Sequence, residues 1–558
     1  MAIIGIDLGT TNSLATVYSE DGVKLIRNSM GKALTPSVVG VDDEGNVIVG
    51  EVAKERLITH PHLTAAEFKR TMGTDREYTL DEKNYSSQQL SSIVLRKIVA
   101  DAKEFLGEEI EEAVISVPAY FNDKMRIATK QAAELAGIKC ERLINEPSAA
   151  ALAYLYHHEW KDGTYMVVDF GGGTLDVSII DSFDSVMEII AVAGNNQLGG
   201  KDFNEAIYRH FCEVNQLTDD DLTPEEQAII YRMSETTKIA LSTNPMAVMT
   251  VVLNDKKYSL ALDNNELIRI AHDVFEKMYE PIKKALKDSR LSAEELEAIV
   301  LVGGSCKMPT VASYIEKVTG VPPCTDIDPD TAIGFGAGIY SGIKSKNPKL
   351  KEVVMTDICP FSLGVSCHDE ATDEYIMSYI IERNSMLPCT NSQDYYAIHD
   401  YQTEVNFTIY QGESIIPENN IKLGKVSIKT PPTKHNDFIA SVRMTYDING
   451  ILIIDITNRD KESVSKVLLD NNVRLSEKEL ERIRMKLDQL RFSEGKDEEA
   501  DLLISRAERI IEESLSIKRE LMIQHLQKFK AAMKYGNTVE KRTSKENFSA
   551  FLDHMESN

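Results

Sequence analysis

The chain contains two copies of one short pattern, at residues 3–13 and 166–178. Each copy runs from an apolar stretch through an aspartate, Asp7 or Asp169, into a turn rich in glycine and threonine. Short β-branched runs stopped by glycine predict buried strands. Glycine lets a backbone approach phosphate oxygens closely, and a strand-end aspartate can hold a hydrated metal ion. Two copies therefore predict two similar lobes that face one phosphate group from opposite sides.

A single turn of this kind is a weak indication, because short motifs match by chance and most such aspartates are simply solvated. A third apolar run, residues 299–302, also ends in a glycine turn at residues 303–305. Three strand-to-glycine turns in one chain favour a nucleotide cleft between two lobes.

Length, charge and cysteine usage narrow the class of protein. A chain of 558 residues should hold several domains, and its net charge of −26 argues against a general nucleic-acid binder. No apolar run is long enough to span a bilayer, and the first residues lack the basic segment of a secretion signal. The seven cysteines include no Cys-x-x-Cys pair, so neither a disulfide framework nor a zinc site is indicated. We expect a cytoplasmic protein that binds neither nucleic acid nor membrane.

Local signals place two helices and one further carboxylate in the first half of the chain. Apolar spacing predicts a helix that stops at Gly107, and a second helix from Asp123 to Ala136 with Gly137 as its C-cap. Glu146 precedes a proline between an apolar strand and an alanine-rich helix. It is either an ordinary acid at a helix start or a third carboxylate of the cleft.

Three further charged residues are not distinguished by the local pattern. Lys69 lies near a predicted helix end, where a single lysine is nearly always solvated. Glu235 and Lys238 are three residues apart on one helix face, which is typical of a surface ion pair but also allows a contact with adenosine.

The pattern changes after residue 348. A charged segment with a short apolar strip predicts a linker, and period-two alternation after it predicts a separate β domain. Asn449-Gly450 between apolar runs predicts a hairpin turn. From Ser476 a capping box and helical spacing predict helices, for which the β domain is the nearest packing partner. The predicted boundaries are residues 1–348, linker 349–358, β domain 359–472 and helical lid 473–558.

The chain resembles the DnaK family, the seventy-kilodalton heat-shock chaperones. The resemblance rests on the segments at residues 5–13, 117–123, 145–151, 169–176 and 301–305, which together are highly specific. The reduced length and short C-terminal helices look most like the HscC branch of specialised bacterial members. The family fold is an actin-like α/β ATPase of two lobes, followed by an all-β peptide-binding sandwich and an α-helical lid.

The resemblance implies a chaperone that uses ATP to control the binding and release of extended apolar segments of unfolded or client proteins. ATP or ADP would bind between the lobes with Mg²⁺ and K⁺. Catalysis is assigned to Asp7, Lys69, Glu146, Asp169 and Thr174, with Asp7 and Asp169 also holding the metal through water. Nucleotide binding is assigned to Thr10, Thr11, Asn12, Gly171, Gly172, Gly199, Gly200, Glu235, Lys238, Ser242, Gly304, Ser305, Lys307 and Asp330.

The resemblance also implies residues for coupling and for partners. Pro118, Arg126 and Asp357 would form the interdomain switch, and a J-domain co-chaperone would act near Arg142 and Asn145. Peptide would contact Met377, Ile398, Val405 and Phe407, although apolar residues on alternating strands are usually just core.

The sequence departs from the family pattern in four places. Lys307 stands where many members have arginine, and residues 353–356 replace a run of leucines in the linker. The regions 70–89 and 246–262 are short, which leaves the need for a nucleotide-exchange factor open. Two other classes remain as alternatives: a small-molecule kinase on the same ATPase fold, and a nucleotide-binding chaperone-like scaffold with weak coupling.

Overall fold

The computed structural model describes residues 2–254, 256–324, 326–350, 353–467, 475–491, 497–514 and 516–557. The predicted boundary at residues 472–473 lies outside these ranges, as do residues 351–352 of the predicted linker. Among the described residues, no helix combines the length and the apolar character needed to cross a membrane.

The first lobe is built on a mixed sheet in which β1 lies at the centre. The strands β1, β2 and β3 are antiparallel, and β10 and β11 continue the sheet on the other side of β1 in parallel. The strands are β1 (Ala2–Asp7), β2 (Asn12–Ser19), β3 (Gly22–Ile26), β4 (Thr35–Pro36), β5 (Val38–Val41), β6 (Val47–Val49), β7 (Thr64–Ala66), β8 (Glu77–Leu80), β9 (Lys83–Ser86), β10 (Ile110–Val117) and β11 (Leu143–Asn145). The helices are α1 (Glu51–Thr59), α2 (Ser87–Leu106), α3 (Asp123–Ala136) and α4 (Glu146–His157).

The predicted C-terminal ends of α2 and α3 are confirmed. The helix α2 stops before Gly107, whose φ of 68° is in the left-handed region that favours glycine. The helix α3 spans the predicted residues and is capped by Gly137 at a φ of 79°.

The second lobe repeats the sheet topology of the first. The strands β12, β13 and β14 are antiparallel, and β17 and β18 extend the sheet beyond β12 in parallel. The strands are β12 (Gly163–Phe170), β13 (Leu175–Phe183), β14 (Val186–Asn195), β15 (Met246–Leu253), β16 (Lys256–Asp263), β17 (Ala298–Val302) and β18 (Pro323–Cys324). The helices are α5 (Gly200–Asn215), α6 (Pro224–Ala240), α7 (Asn264–Ile270), α8 (His272–Ser289), α9 (Pro309–Thr319) and α10 (Ala332–Lys344). The repeated sequence pattern is thus a repeated lobe.

The linker lies against the second lobe as a strand. The strand β19 (Val354–Thr356) pairs in parallel with β14 and becomes the edge of its sheet. The docked strand also brings Val353 and Met355 against the apolar core that α4 and α10 share. Residues 354–356 of the linker are therefore part of the sheet of the second lobe.

The β domain is a sandwich of two four-stranded sheets, ordered β21-β20-β23-β24 and β22-β25-β26-β27. Its strands are β20 (Leu363–Asp369), β21 (Glu374–Ile381), β22 (Cys389–Tyr396), β23 (Gln402–Gln411), β24 (Ile421–Thr433), β25 (Phe438–Tyr446), β26 (Leu452–Asn458) and β27 (Ser463–Val467). The predicted hairpin turn joins β25 to β26, with Gly450 at a φ of 71°.

Four helices follow: α11 (Glu477–Asp488), α12 (Glu498–Glu512), α13 (Ser516–Tyr535) and α14 (Thr538–Ser557). The predicted capping box at Ser476 is present. The expectation that these helices pack on the β domain is wrong. The apolar side of α11 (Leu480, Ile483, Leu487) joins the core of the first lobe, and α12 lies along α1. An apolar stripe shows that a helix needs a partner surface, but it does not say which surface.

Candidate functional site

The turns that end β1 and β12 face each other, as the repeated pattern predicts. A Cβ built on Gly172 would lie 2.3 Å from Thr11 Oγ1, and one on Gly173 would lie 3.3 Å from Thr10 Cγ2. Gly171 N–H donates to Thr174 C=O at 3.0 Å and closes the second turn. The two lobes therefore meet through small residues, beside Asn12 at the start of β2.

Further predicted nucleotide residues surround the second turn. The N–H of Gly200, which follows Gly199 at the start of α5, donates to Gly171 C=O at 3.0 Å. Ser305 Oγ donates to the same carbonyl at 2.8 Å, and Lys238 Nζ donates to Gly200 C=O at 2.9 Å. Burial lowers the pKa of Lys238 to about 8. The structure thus brings α5, α6 and the turn after β17 to one place.

The remaining predicted adenosine residues lie on or just after α6 and near the turn that follows β17. Glu235 is on α6 one turn from Lys238, and Ser242 follows the end of that helix. Lys307 forms an ion pair with Asp330, and a Cβ on Gly304 would lie 3.1 Å from Asp330 Oδ1. The ammonium of Lys307 is therefore already neutralised by a neighbouring carboxylate.

Buried carboxyls from four elements converge behind the two turns. Asp7 ends β1, Glu146 begins α4, Asp169 lies in β12, and Asp176 lies in β13. Ser116 Oγ donates to Asp7 Oδ1 at 2.7 Å. Asp169 Oδ2 is buried without a hydrogen-bond partner among the described residues.

Lys69 is the cation of this cluster. It lies in a short 3₁₀ turn (Phe68–Thr71), is only 5% exposed, and forms an ion pair with Glu146. The expectation that an isolated lysine here is solvated is wrong. Periodicity cannot show that a lysine points inward, because its long side chain suits either environment.

Burial of several carboxyls with one ammonium shifts their protonation. Burial raises the pKa of Asp7 and of Glu146, against the attraction of Lys69. Burial, with repulsion from Glu146, raises the pKa of Asp169 well above its usual value, and that of Asp176 to about 7. This excess of oxygen ligands over positive charge is what a divalent cation requires.

A hydrogen-bonded path runs from this cluster to the linker. Ala119 N–H, next to Pro118, donates to Asp176 Oδ2 at 3.1 Å, and Arg126 Nη2 donates to Ala119 C=O at 2.9 Å. Arg126 Nη2 also donates to Asn145 Oδ1 at 2.7 Å, and Asn145 Nδ2 donates to Asp357 Oδ2 at 2.7 Å. The predicted switch residues are therefore one connected network.

The β25–β26 turn of the β domain docks on the first lobe beside this path. Asn449 C=O accepts from Arg126 Nη1 at 3.3 Å, and Asn449 Oδ1 accepts from Leu143 N–H at 3.0 Å. Arg142 donates to Ile448 C=O. The predicted co-chaperone residues Arg142 and Asn145 are buried beneath this turn.

Asp123 is a further contact that sequence reasoning missed. Its Oδ1 accepts from Leu452 N–H of the β domain at 2.8 Å, and burial raises its pKa to about 7. It sits at the first position of α3, where an acid is expected for helix capping alone, so nothing in the pattern marked it.

Two other residues were missed. In the sequence, Asp176 is marked only as the second aspartate of the motif at residues 166–178. Asp288 of α8 accepts from Arg383 Nη2 of the β domain at 2.7 Å, and such a long-range pair leaves no local signal.

The predicted peptide residues are not equally accessible. Val405 and Phe407 lie in the sandwich core, where the Phe407 and Tyr395 rings are 5.1 Å apart. Met377 is buried in β21, whereas Ile398, between β22 and β23, is 44% exposed.

Comparison with known proteins gives matches that span most of the chain. The family model described as Hsp70 protein matches residues 3–557. The "Chaperone protein DnaK" of Thermotoga neapolitana is 36% identical over 501 residues, which cover 86% of this chain and 82% of that relative. The resemblance to the DnaK family and the fold class predicted from the sequence are confirmed by these matches.

Proposed function

Because the chain belongs to the Hsp70 family and is an ATP-driven molecular chaperone, we propose that the buried cluster hydrolyses ATP and that the docked linker transmits its state to the β domain. The observation that carries this proposal is the continuous path from Asp176 to Asp357. Hydrogen-bonded networks of this kind can bias a two-state element when a ligand changes one end.

In this proposal phosphate lies between the two glycine turns, where Thr10, Thr11, Asn12, Gly171, Gly172 and Thr174 provide backbone and hydroxyl donors. Lys69 neutralises developing charge and positions the attacking water, with Glu146 holding the ammonium in place. Adenosine lies toward Gly199, Gly200, Glu235, Lys238, Ser242, Gly304, Ser305, Lys307 and Asp330.

The cluster also fits a hydrated Mg²⁺ ion. Its donors are all hard oxygens, Asp169 Oδ2 is unpartnered among the described residues, and Lys69 alone does not balance the carboxyl charge. We assign the ion to Asp7 and Asp169 through water. When bound, Mg²⁺ would neutralise phosphate oxygens. We also assign K⁺ to a position beside the same turns, where carbonyl and hydroxyl oxygens are available.

Because the chain belongs to the Hsp70 family, it binds client polypeptides. For the peptide site, Ile398 offers an accessible apolar contact, while Val405, Phe407 and Met377 would form the wall of a pocket that opens with the sandwich. An extended peptide would gain affinity from backbone hydrogen bonds and specificity from such a pocket.

We also propose that the domains comprise residues 1–348, 349–358, 359–472 and 473–558, and that the protein is located in the cytoplasm. A J-domain co-chaperone would act near Arg142 and Asn145, at the edge of the docked β25–β26 turn.

The test is fluorescence anisotropy of a labelled, extended apolar peptide bound in ADP and then mixed with ATP. Wild type should release peptide promptly. Asp357→Ala removes the acceptor of Asn145 and Ser148, so ATP should still bind while release slows by about tenfold or more. Asp460→Ala, at an exposed aspartate of the β domain, is the matched control.

Prompt release by Asp357→Ala would contradict the assigned path. Peptide binding without any effect of ATP in wild type would instead favour the weakly coupled scaffold.

A further inference from the structure

The helices α12, α13 and α14 form a small unit with its own apolar core, which we call the C-terminal bundle. Its first helix lies along α1 of the first lobe, where Leu502 packs against the small apolar cluster that includes Val52 and Ala53. One turn earlier on α12, Glu498 pairs with Lys97 of α2 at 2.9 Å. The bundle is therefore held to the first lobe along the length of α12.

Arg509 is the centre of the contact between the bundle and the first lobe. Its side chain is 5% exposed and forms ion pairs with Glu55 of α1 and with Glu556 of α14. It also pairs with Glu513 at 2.9 Å. A guanidinium this deeply buried is stable only while its carboxylate partners remain in place.

Glu513 extends the same contact to the second lobe. While its Oε2 binds Arg509, its Oε1 binds Arg232 Nη1 of α6 at 2.6 Å. The charges thus alternate from Glu55 in the first lobe, through Arg509 and Glu513 in the bundle, to Arg232 in the second lobe.

Arg232 stands one helical turn before Glu235 and two turns before Lys238. The helix that Glu513 binds, α6, is therefore also the helix that carries Glu235 and Lys238 at the proposed adenosine end of the cleft. Separating α6 from α1 opens this end of the cleft, and that motion stretches the Arg232–Glu513 pair as long as the bundle remains on α1.

We propose that the docked C-terminal bundle is a clasp across the mouth of the nucleotide cleft, which retains nucleotide until the bundle leaves the first lobe. Arg232 and Glu513 act as positioning residues, since neither belongs to the proposed nucleotide contacts. The inference rests on the nucleotide-cleft assignment, and it adds that the position of the C-terminal helices sets the rate of nucleotide exchange.

The test measures release of a fluorescent, non-hydrolysable ATP analogue from the full-length chain after a chase with unlabelled ATP. Arg232→Ala should speed release about two- to fivefold, the range for one partly exposed ion pair. Arg232→Lys should restore most of the slow release, because it keeps a cation within reach of Glu513. Release from wild type should speed up with salt more steeply than release from Arg232→Ala, because screening weakens the same pair.

Arg506→Ala is the matched control. Arg506 is also an arginine of α12, but its partners Asp553 and Glu556 are both in α14. It should leave the release rate unchanged, which separates the bridge to the second lobe from a general loosening of the bundle.

Energy transfer between a label on α1 and a label on α14 reports whether the bundle is still docked. Unchanged release by Arg232→Ala with the bundle docked overturns the clasp but leaves the nucleotide site standing. Equal acceleration by Arg506→Ala overturns it as well. Loss of analogue binding in wild type would instead remove the cleft assignment and the clasp with it.

Discussion

At the scale of single residues, the buried cluster holds more carboxyl groups than positively charged groups. Asp7, Glu146, Asp169 and Asp176 are buried near one ammonium, that of Lys69. Burying charge without compensation is costly, so the pKa values of all four carboxyls rise. The divalent cation that we propose for this cluster would supply the missing positive charge.

Lys69→Ala should lower single-turnover ATP hydrolysis by about two orders of magnitude, in line with the loss of one preorganised electrostatic group. ATP binding should remain largely intact, because the glycine turns and the adenosine side do not involve Lys69. Rapid-quench measurement of hydrolysis, with binding measured separately, checks both.

Lys344→Ala is the control for that variant. Lys344 also bridges carboxylates, Glu112 and Glu141 at 2.7 Å each, but it lies outside the cleft. Survival of hydrolysis in Lys69→Ala would show that Lys69 has only a structural pairing with Glu146.

At the scale of elements, the β25–β26 turn is one part of the β domain that contacts the first lobe. Its contacts include Leu452 N–H, which donates to Asp123, a carboxyl whose pKa burial raises to about 7. Leu452 N–H and Arg126 favour the charged form of Asp123, while Asp447 of the same turn opposes it. Undocking exposes Asp123 to water and returns its pKa toward its usual value of 3.8.

This linkage gives docking a pH dependence. The docked state binds the additional proton between the two pKa values, so docking should strengthen as pH falls and weaken as pH rises through 7. One linked proton changes the docking constant about tenfold between pH 8 and pH 6. Energy transfer between labels on the first lobe and the β domain measures it.

Asp123→Asn should abolish most of the pH dependence. An amide oxygen still accepts from Leu452 N–H, but the side chain no longer titrates. A pH profile identical to that of wild type would place the linked proton on another group.

Element boundaries were more predictable than element contacts. The limits of α3, the turn at Asn449-Gly450 and the capping box at Ser476 all follow from local chemistry, and all are as predicted. The packing of α11 and α12 on the first lobe was not predicted, because it depends on surfaces more than 300 residues away in sequence. The burial of Lys69 against Glu146 and the pair between Asp288 and Arg383 were not predicted either, because the partners are 77 and 95 residues apart in sequence.

At the scale of the whole molecule, the β domain touches both lobes at once. The β25–β26 turn contacts the first lobe, and Arg383 binds Asp288 of α8 in the second at 2.7 Å. Because the β domain contacts both lobes, we expect it to dock best at one angle between the lobes. Its docking should therefore depend on how far the cleft is closed, in addition to the hydrogen-bonded path.

The Arg383–Asp288 pair allows this dependence to be measured by a double-mutant cycle. The Asp288 side chain is 5% exposed, and its Oδ2 already lacks a hydrogen-bond partner among the described residues. Arg383→Ala alone leaves that carboxylate buried and unpaired, so it should weaken docking strongly. Adding Asp288→Asn removes the stranded charge, so the double variant should dock better than Arg383→Ala. We expect a coupling energy of about 1–3 kcal/mol from the same energy-transfer assay. Additive effects would mean that the β domain is seated by the first lobe alone, and that closure of the cleft reaches it only through the linker.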